Sequence, residues 1–245
     1  MAKVPKGLTL DDGASLCCNI VAPFWAIFGA DGLALPFPFP SEAPSSSSTP
    51  PFDFSSATIV IIGAGSNCGK YGIQTCSVAG FGTIVAVAST SKPDAISTLK
   101  SYGATHVVDR SGSNEEIAAR IRAIVGDDLI YAFDAVNVDH TLGVSILSSH
   151  TRGTLACIVP GKADDSQIGT KHAGYDDKFT QGQSHNQPQL GAQFWKAIPG
   201  WMESGRVKST GWSVIRGLDR EKVNEVLDAY RDDRWPEKQV HVHVS

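Results

Sequence analysis

The sequence predicts an α/β fold, a doubly wound parallel sheet with helices on both faces. Three observations lead there. Apolar, β-branched runs such as Thr58-Ile59-Val60-Ile61-Ile62 and Thr83-Ile84-Val85-Ala86-Val87-Ala88 lack polar alternation, which marks strands buried on both faces. Strand and helix patterns alternate five times between residues 57 and 160, as right-handed parallel crossovers require. The first strand ends in a tight turn, Gly63-Ala64-Gly65, that opens directly into a helix.

Taken in order, Thr9 or Asp11 caps a helix from about Asp12 to Phe28, whose apolar face holds Leu16, Ile20, Ala22, Phe24, Ile27 and Phe28. That face needs a neighbour, expected to be this same domain. Residues 34–56 are rich in Pro and Ser and read as an exposed, irregular connection. The helix after the glycine turn sets Ile73, Cys76 and Gly80 on one side. Pro93 to Tyr102 forms the next helix, ended by Gly103. Thr105 to Arg110 is a third strand and its end. Ser113 caps a fourth helix with Glu116 in a capping box, and Ile117, Ile121, Ile124 and Val125 form its stripe. Leu129 to Phe133 is a fourth strand, Val138 to Ser149 a helix, and Thr154 to Val159 a fifth strand ending at Pro160-Gly161. The polar stretch 162–190 holds a short sixth strand within Gln167–Tyr175. Gly191 to Ser204 is helical, Arg206 to Ile215 extended, and Leu218 to Asp232 helical with Val223, Val226, Leu227 and Tyr230 on one face. Gln239 to Val244 alternates as a strand does. Three segments result: an N-terminal helix and connection over 1–56, a dinucleotide-binding domain over 57–205, and a C-terminal segment over 206–245.

Composition narrows the function. Of 245 residues 42% are hydrophobic and 19% charged, a balance that suits a soluble globular protein. A net charge of −4 leaves no basic excess to neutralise phosphate backbones, so no nucleic-acid partner is expected. No apolar run approaches the roughly 20 residues that span a bilayer, and no membrane partner is expected. Five cysteines at irregular spacing read as buried thiols of a reducing, cytoplasmic compartment. No C-x-x-C, H-E-x-x-H or G-x-S-x-G motif is present, so neither a metal site nor a hydrolase is expected. His241 and His243 share a strand face and read as surface histidines.

Several stretches together resemble the medium-chain dehydrogenase/reductase superfamily, and within it the trans-acting enoyl reductases that partner polyketide synthases. They are LTLDDGASL at 8–16, LALPFPFP at 33–40, IVIIGAGSNCGKYGIQ at 59–74, LKSYGATHVVDR at 99–110 and FWKAIPGWMESGRVKS at 194–209. The resemblance implies a Rossmann-type cofactor domain and reduction of an activated, enoyl- or enone-type double bond. The substrate would be a small molecule or carrier-bound, and a polyketide synthase a partner. It also implies that a GroES-like N-terminal domain is missing. The N-terminal helix and C-terminal strand would then be left over from it, with Val240, Val242 and Val244 unpartnered.

Resemblance and residues agree on a nicotinamide cofactor. Gly63, Ala64 and Gly65 bring the backbone close to the phosphates, Ser66, Asn67 and Cys68 offer N–H groups at a helix N-terminus, and Gly69 permits close helix–strand packing. Gly69 stands one residue beyond the third glycine of a strict G-x-G-x-x-G. At the end of the second strand an NAD enzyme usually carries an acid; here stand Ser89, Ser91 and Lys92. Hydroxyls and an ammonium suit a 2′-phosphate, so NADP(H) is expected, with Arg110 assisting and Val136 and Pro160 lining the crevice. The sequence names no catalytic acid. The alternative is a non-redox nucleotide-binding or scaffold protein of the same descent, using Phe194, Trp195 and Trp201 as a contact surface.

Overall fold

The computed structural model describes residues 2–38, 52–232, 234, 236 and 238–244. Six strands form one parallel sheet: β1 (Thr58–Ile62), β2 (Thr83–Ala88), β3 (His106–Asp109), β4 (Tyr131–Asp134), β5 (Gly153–Cys157) and β6 (Tyr175–Phe179). Their spatial order is β3-β2-β1-β4-β5-β6, a Rossmann-type doubly wound sheet. Winding reverses between β1 and β4, so a crevice opens at the C-terminal ends of these two strands. Ile59, Val60 and Ile61 of β1 are fully buried because helices cover both faces.

One face is covered by α1 (Leu10–Phe28), α2 (Asn67–Ala79), α3 (Ala95–Ser101) and α6 (Pro188–Glu203), the other by α4 (Asn114–Val125) and α5 (Thr141–Ser145). Thr9, not Asp11, caps α1, in a capping box with Asp12. The predicted apolar face of α1 lies within the domain core; Ala22 alone of it is only partly buried. Phe24 is the hub, with ring centroids 4.9 Å from Phe28 and 4.5 Å from Phe194. Ser113 and Glu116 form the expected box on α4, and Gly80 and Gly103 close α2 and α3 at positive φ. Among the described residues no helix is long and apolar enough to cross a membrane.

The structure corrects several expectations. The Pro/Ser-rich connection is not exposed throughout: Leu35 and Phe54 are buried, and Phe54–Ser56 forms a 3-10 turn capped by Asp53. Its Phe37 and Phe54 pack against Phe28 of α1 and its Phe52 against Tyr131 of β4; residues 39–51 lie outside the described residues. The helix expected over 138–149 shrinks to α5, because Ser148 Oγ accepts from the N–H groups of His150 and Thr151 and turns the chain. The sixth strand begins at Tyr175 rather than ending there. Its YDDKF sequence is polar because it is a half-buried edge. Cys17 and Cys18 are exposed, and only Cys76 and Cys157 are buried. Phe194 and Trp201 belong to the core, so they offer no contact surface. The C-terminal helix is α7 (Arg220–Arg231), and none of its residues is fully buried.

The C-terminal strand does have a partner. β7 (Trp212–Arg216) and β8 (Gln239–His243) pair in parallel, joined by α7. α1 anchors this small sheet: Asp11 Oδ1 lies 2.6 Å from His241 Nδ1 and 2.9 Å from His243 Nε2. Asn19 Nδ2 donates to Gln239, and Trp212 Nε1 to Asp12. His241, with a side chain 10% exposed, is therefore not a surface histidine.

The packing predicts a contrast. Phe194→Ala deletes a fully buried ring and is expected to cost about 3–5 kcal/mol. Leu227→Ala, at a site 59% exposed, is expected to stay within about 0.5 kcal/mol. Urea unfolding of both variants checks the pair.

Candidate functional site

The site begins where β1 stops. Gly63 turns the chain at φ 73°, a conformation that L side chains avoid, and a Cβ there would stand 2.5 Å from Val136 Cγ2. Ala64 is buried and its N–H donates to Val87 O at 3.0 Å, tying the turn to β2. Gly65 is exposed. Ser66 caps α2: its Oγ accepts from Gly69 N–H at 3.0 Å, and its own N–H donates to Gly63 O at 2.9 Å. Of the first four helical amides this leaves those of Asn67 and Cys68 without an intrahelical partner. Gly69 lies against the turn, its missing Cβ 2.3 Å from Gly63 O. Burial pushes the Cys68 thiol up to about 11, so it is no thiolate at neutral pH.

The loop after β2 stands beside this turn. Ser89 and Ser91 share a hydrogen bond of 2.9 Å between exposed hydroxyls, and Lys92 is exposed next to them. Arg110 continues β3, its N–H on Ala88 O at 3.0 Å and its side chain exposed. Asp109, which motif reading passed over, organises this corner. Its carboxylate accepts from the Ser111 hydroxyl and from Thr90 N–H at 3.1 Å. These hydrogen bonds, that of Ser111 first, hold its carboxyl down at about 2.

Across the switch point, Val136 follows β4 and is 42% exposed over the glycine turn. Asp134, also missed from sequence, is buried and holds it there, accepting from Val136 N–H at 2.9 Å and Asn137 N–H at 3.0 Å. Pro160 is exposed beyond β5. The fold thus brings Gly63 to Gly69, Ser89, Ser91, Lys92, Arg110, Val136 and Pro160 to one edge, the C-terminal ends of β1 to β5.

Other residues reach the site by routes that spacing did not disclose. The irregular segment leading to β7 straps α2 lengthwise. Arg206 donates to Val78 O, Lys208 exchanges two hydrogen bonds with the Gln74 amide, and Thr210 Oγ1 reaches Asn67 Oδ1 at 3.2 Å. His140, Cys157 and Asp177 converge from the N-cap of α5, β5 and β6. His140 Nδ1 lies 2.8 Å from Asp177 Oδ2, and Cys157 Sγ 3.6 Å from Asp177 Oδ1. No motif flags these three, because each comes from a different element.

Residues 68–175, from the first turn of α2 to the start of β6, match the model of the zinc-binding dehydrogenases. The match starts just past the glycine turn. Among solved structures, the chain is similar to the JamJ enoyl reductase (17% identity, TM-score 0.69, 99% of this chain and 65% of that one). It is similar also to a Pseudomonas syringae quinone oxidoreductase (16%, TM-score 0.68, 98% and 67%). A third is a mycobacterial protein solved with NADPH (18%, TM-score 0.65, 93% and 64%). No curated protein matches in sequence. The resemblance to medium-chain dehydrogenase/reductases read from the motifs holds, and at these identities the solved structures establish fold. The chain spans 65% of the length of the JamJ enoyl reductase and of the CurK enoyl reductase.

Asp109 supplies a test of this corner. A carboxyl held low stabilises the fold above its ordinary value near 3.9, and the gain is lost as pH falls towards about 2. The Thr90 amide is expected to lose hydrogen-exchange protection as pH drops from about 4 to about 2. In Asp109→Asn the protection is expected to be lower and flat across that range. Exchange measured by NMR at a series of pH values reads both.

Proposed function

We propose that this chain is an NADP(H)-dependent oxidoreductase that reduces an activated double bond of the enoyl or enone type. The observation that carries the reading is the turn from Gly63 to Gly69. It presents the open amides of Asn67 and Cys68 at a helix N-terminus, beside the crevice where the winding of the sheet reverses.

The residues fit the cofactor. A diphosphate would rest against Gly65, Ser66, Asn67 and Cys68, where backbone can approach because Gly65 has no side chain. The 2′-phosphate would meet Ser89, Ser91, Lys92 and Arg110, in a loop that Asp109 holds from below through Thr90. Val136 and Pro160 would flank the nicotinamide half, with Val136 fixed by Asp134. Bound NADPH supplies hydride to the substrate; the chain's own part is to bind, orient and exclude water. The similar solved structures include enoyl reductases, a quinone oxidoreductase and an NADPH complex, which supports this class of reaction. A small or carrier-bound substrate, a polyketide synthase partner and a cytoplasmic setting complete the proposal.

Two measurements test it. Calorimetry is expected to show NADPH bound more tightly than NADH, with Lys92→Ala and Arg110→Ala each weakening NADPH about tenfold and NADH little, since a charged hydrogen bond contributes about 1.5–3 kcal/mol. Equal affinities in the wild type would refute the NADP(H) preference. Gly65→Ala is expected to keep the melting temperature, because its Cβ would meet only Ala88 Cβ at an ordinary 3.6 Å, yet to lose NADPH binding. Gly69→Ala is expected to lose both. NADPH oxidation with a simple enone, followed by absorbance, tests the reaction itself.

A further inference from the structure

We propose that His140, Cys157 and Asp177 form a binding site for a divalent transition-metal ion of the zinc class. The three side chains bring one nitrogen, one sulfur and one oxygen within 4.8 Å of one another. His140 is 1% exposed and Cys157 fully buried, while Asp177 at 17% leaves the way in.

The orientation of the His140 ring carries the argument. Its Nε2 lies 3.2 Å from the carbonyl of Val159, and a carbonyl oxygen only accepts. Nε2 therefore holds the ring proton. In the neutral ring Nδ1 is then a bare lone pair, aimed at the Asp177 oxygens at 2.8 and 3.0 Å, which when ionised also only accept. Two lone pairs face each other in a buried place, and a positive charge must sit between them. A proton on Nδ1 would satisfy that pair, with the Cys157 thiol donating to Asp177 Oδ1 beside it. A metal ion uses all three.

The donor set agrees. Imidazole, thiolate and carboxylate are zinc ligands at about 2.0–2.3 Å, which puts neighbouring donors about 3–4 Å apart. The observed separations are 3.0 Å for Nδ1 to Oδ1 and 3.6 Å for Sγ to Oδ1. The Val159 carbonyl is the outer partner that a metal-bound histidine characteristically has on its second nitrogen. The frame is rigid. His140 N–H donates to Lys162 O and Lys162 N–H to Val138 O, and Gly161 packs so closely that a Cβ would stand 1.9 Å from Val138 O. Burial first, then the nearby carboxylates of Asp177 and Asp134, keep the Cys157 thiol protonated without an ion, so binding must release its proton. This site rests on its own geometry and is independent of the nucleotide reading.

Cobalt(II), titrated into the full chain, is the probe. The expected result is saturation at one ion per chain, a thiolate-to-cobalt charge-transfer band in the near ultraviolet, displacement by zinc, and release of at least one proton. Cys157→Ser is a near-isosteric change and is expected to abolish the band with the circular dichroism unaltered. Asp177→Asn is expected to weaken zinc about tenfold or more, judged from what even outer ligands contribute. The double variant Cys17→Ser/Cys18→Ser, which removes the exposed thiols, is expected to keep the band. Absence of the band in the wild type, or its survival in Cys157→Ser, overturns the site.

Discussion

The structure depends on how closely α2 approaches the end of β1. Gly69 sits with its Cα side against Gly63 O and Ala64, and Gly72, one turn on, faces the ring of Phe133 at 3.0 Å from its missing Cβ. Two absent side chains let the helix axis come down onto the sheet. The same approach points the helix N-terminus at the crevice and makes the turn too tight for anything but Gly63 at its positive φ. Packing and the candidate site thus meet in one contact, since the close approach sets the first turn of α2, with the unpartnered amides of Asn67 and Cys68, at the end of β1.

Around that contact the rest of the chain supplies supports rather than chemistry. Asp134 holds Val136 over the turn, and Asp109 holds Thr90 and with it the loop after β2. Gln74 and Thr210 lash the strap from 206 to 210 along α2. α1 fills the opposite flank with Phe24 and Trp25 and uses Asp11 to retain the β7–β8 pair. Asp134, Asp109 and Gln74 anchor through carboxylate or amide oxygens that accept from backbone N–H groups, while Asp11 and Thr210 anchor side chain to side chain.

How much was legible follows from the range over which each signal acts. The bounds of β1 and β2, the Ser113 capping box and the glycine turn are local: the residues that make them lie within a few positions of one another. Apolar spacing overestimates the length of α5 because it does not register how Ser148 competes for backbone donors. The edge strand β6 leaves no apolar run in the sequence, because an edge needs none. Cys17 and Cys18 are exposed because α1 presents them on its solvent side, a fact of helix docking rather than of residue type.

By itself the sequence determined the alternation of strand and helix, the turn at Gly63-Ala64-Gly65 and the hydroxyl-rich end of the second strand, because each is written in neighbouring residues with a fixed period or spacing. Tertiary structure alone decided that β8 pairs with β7, that His241 and His243 share Asp11, and that His140, Cys157 and Asp177 meet. The physical reason is distance along the chain. Parallel crossovers bring together residues that no local pattern relates, and the partner of a buried polar group is chosen by whichever element arrives beside it.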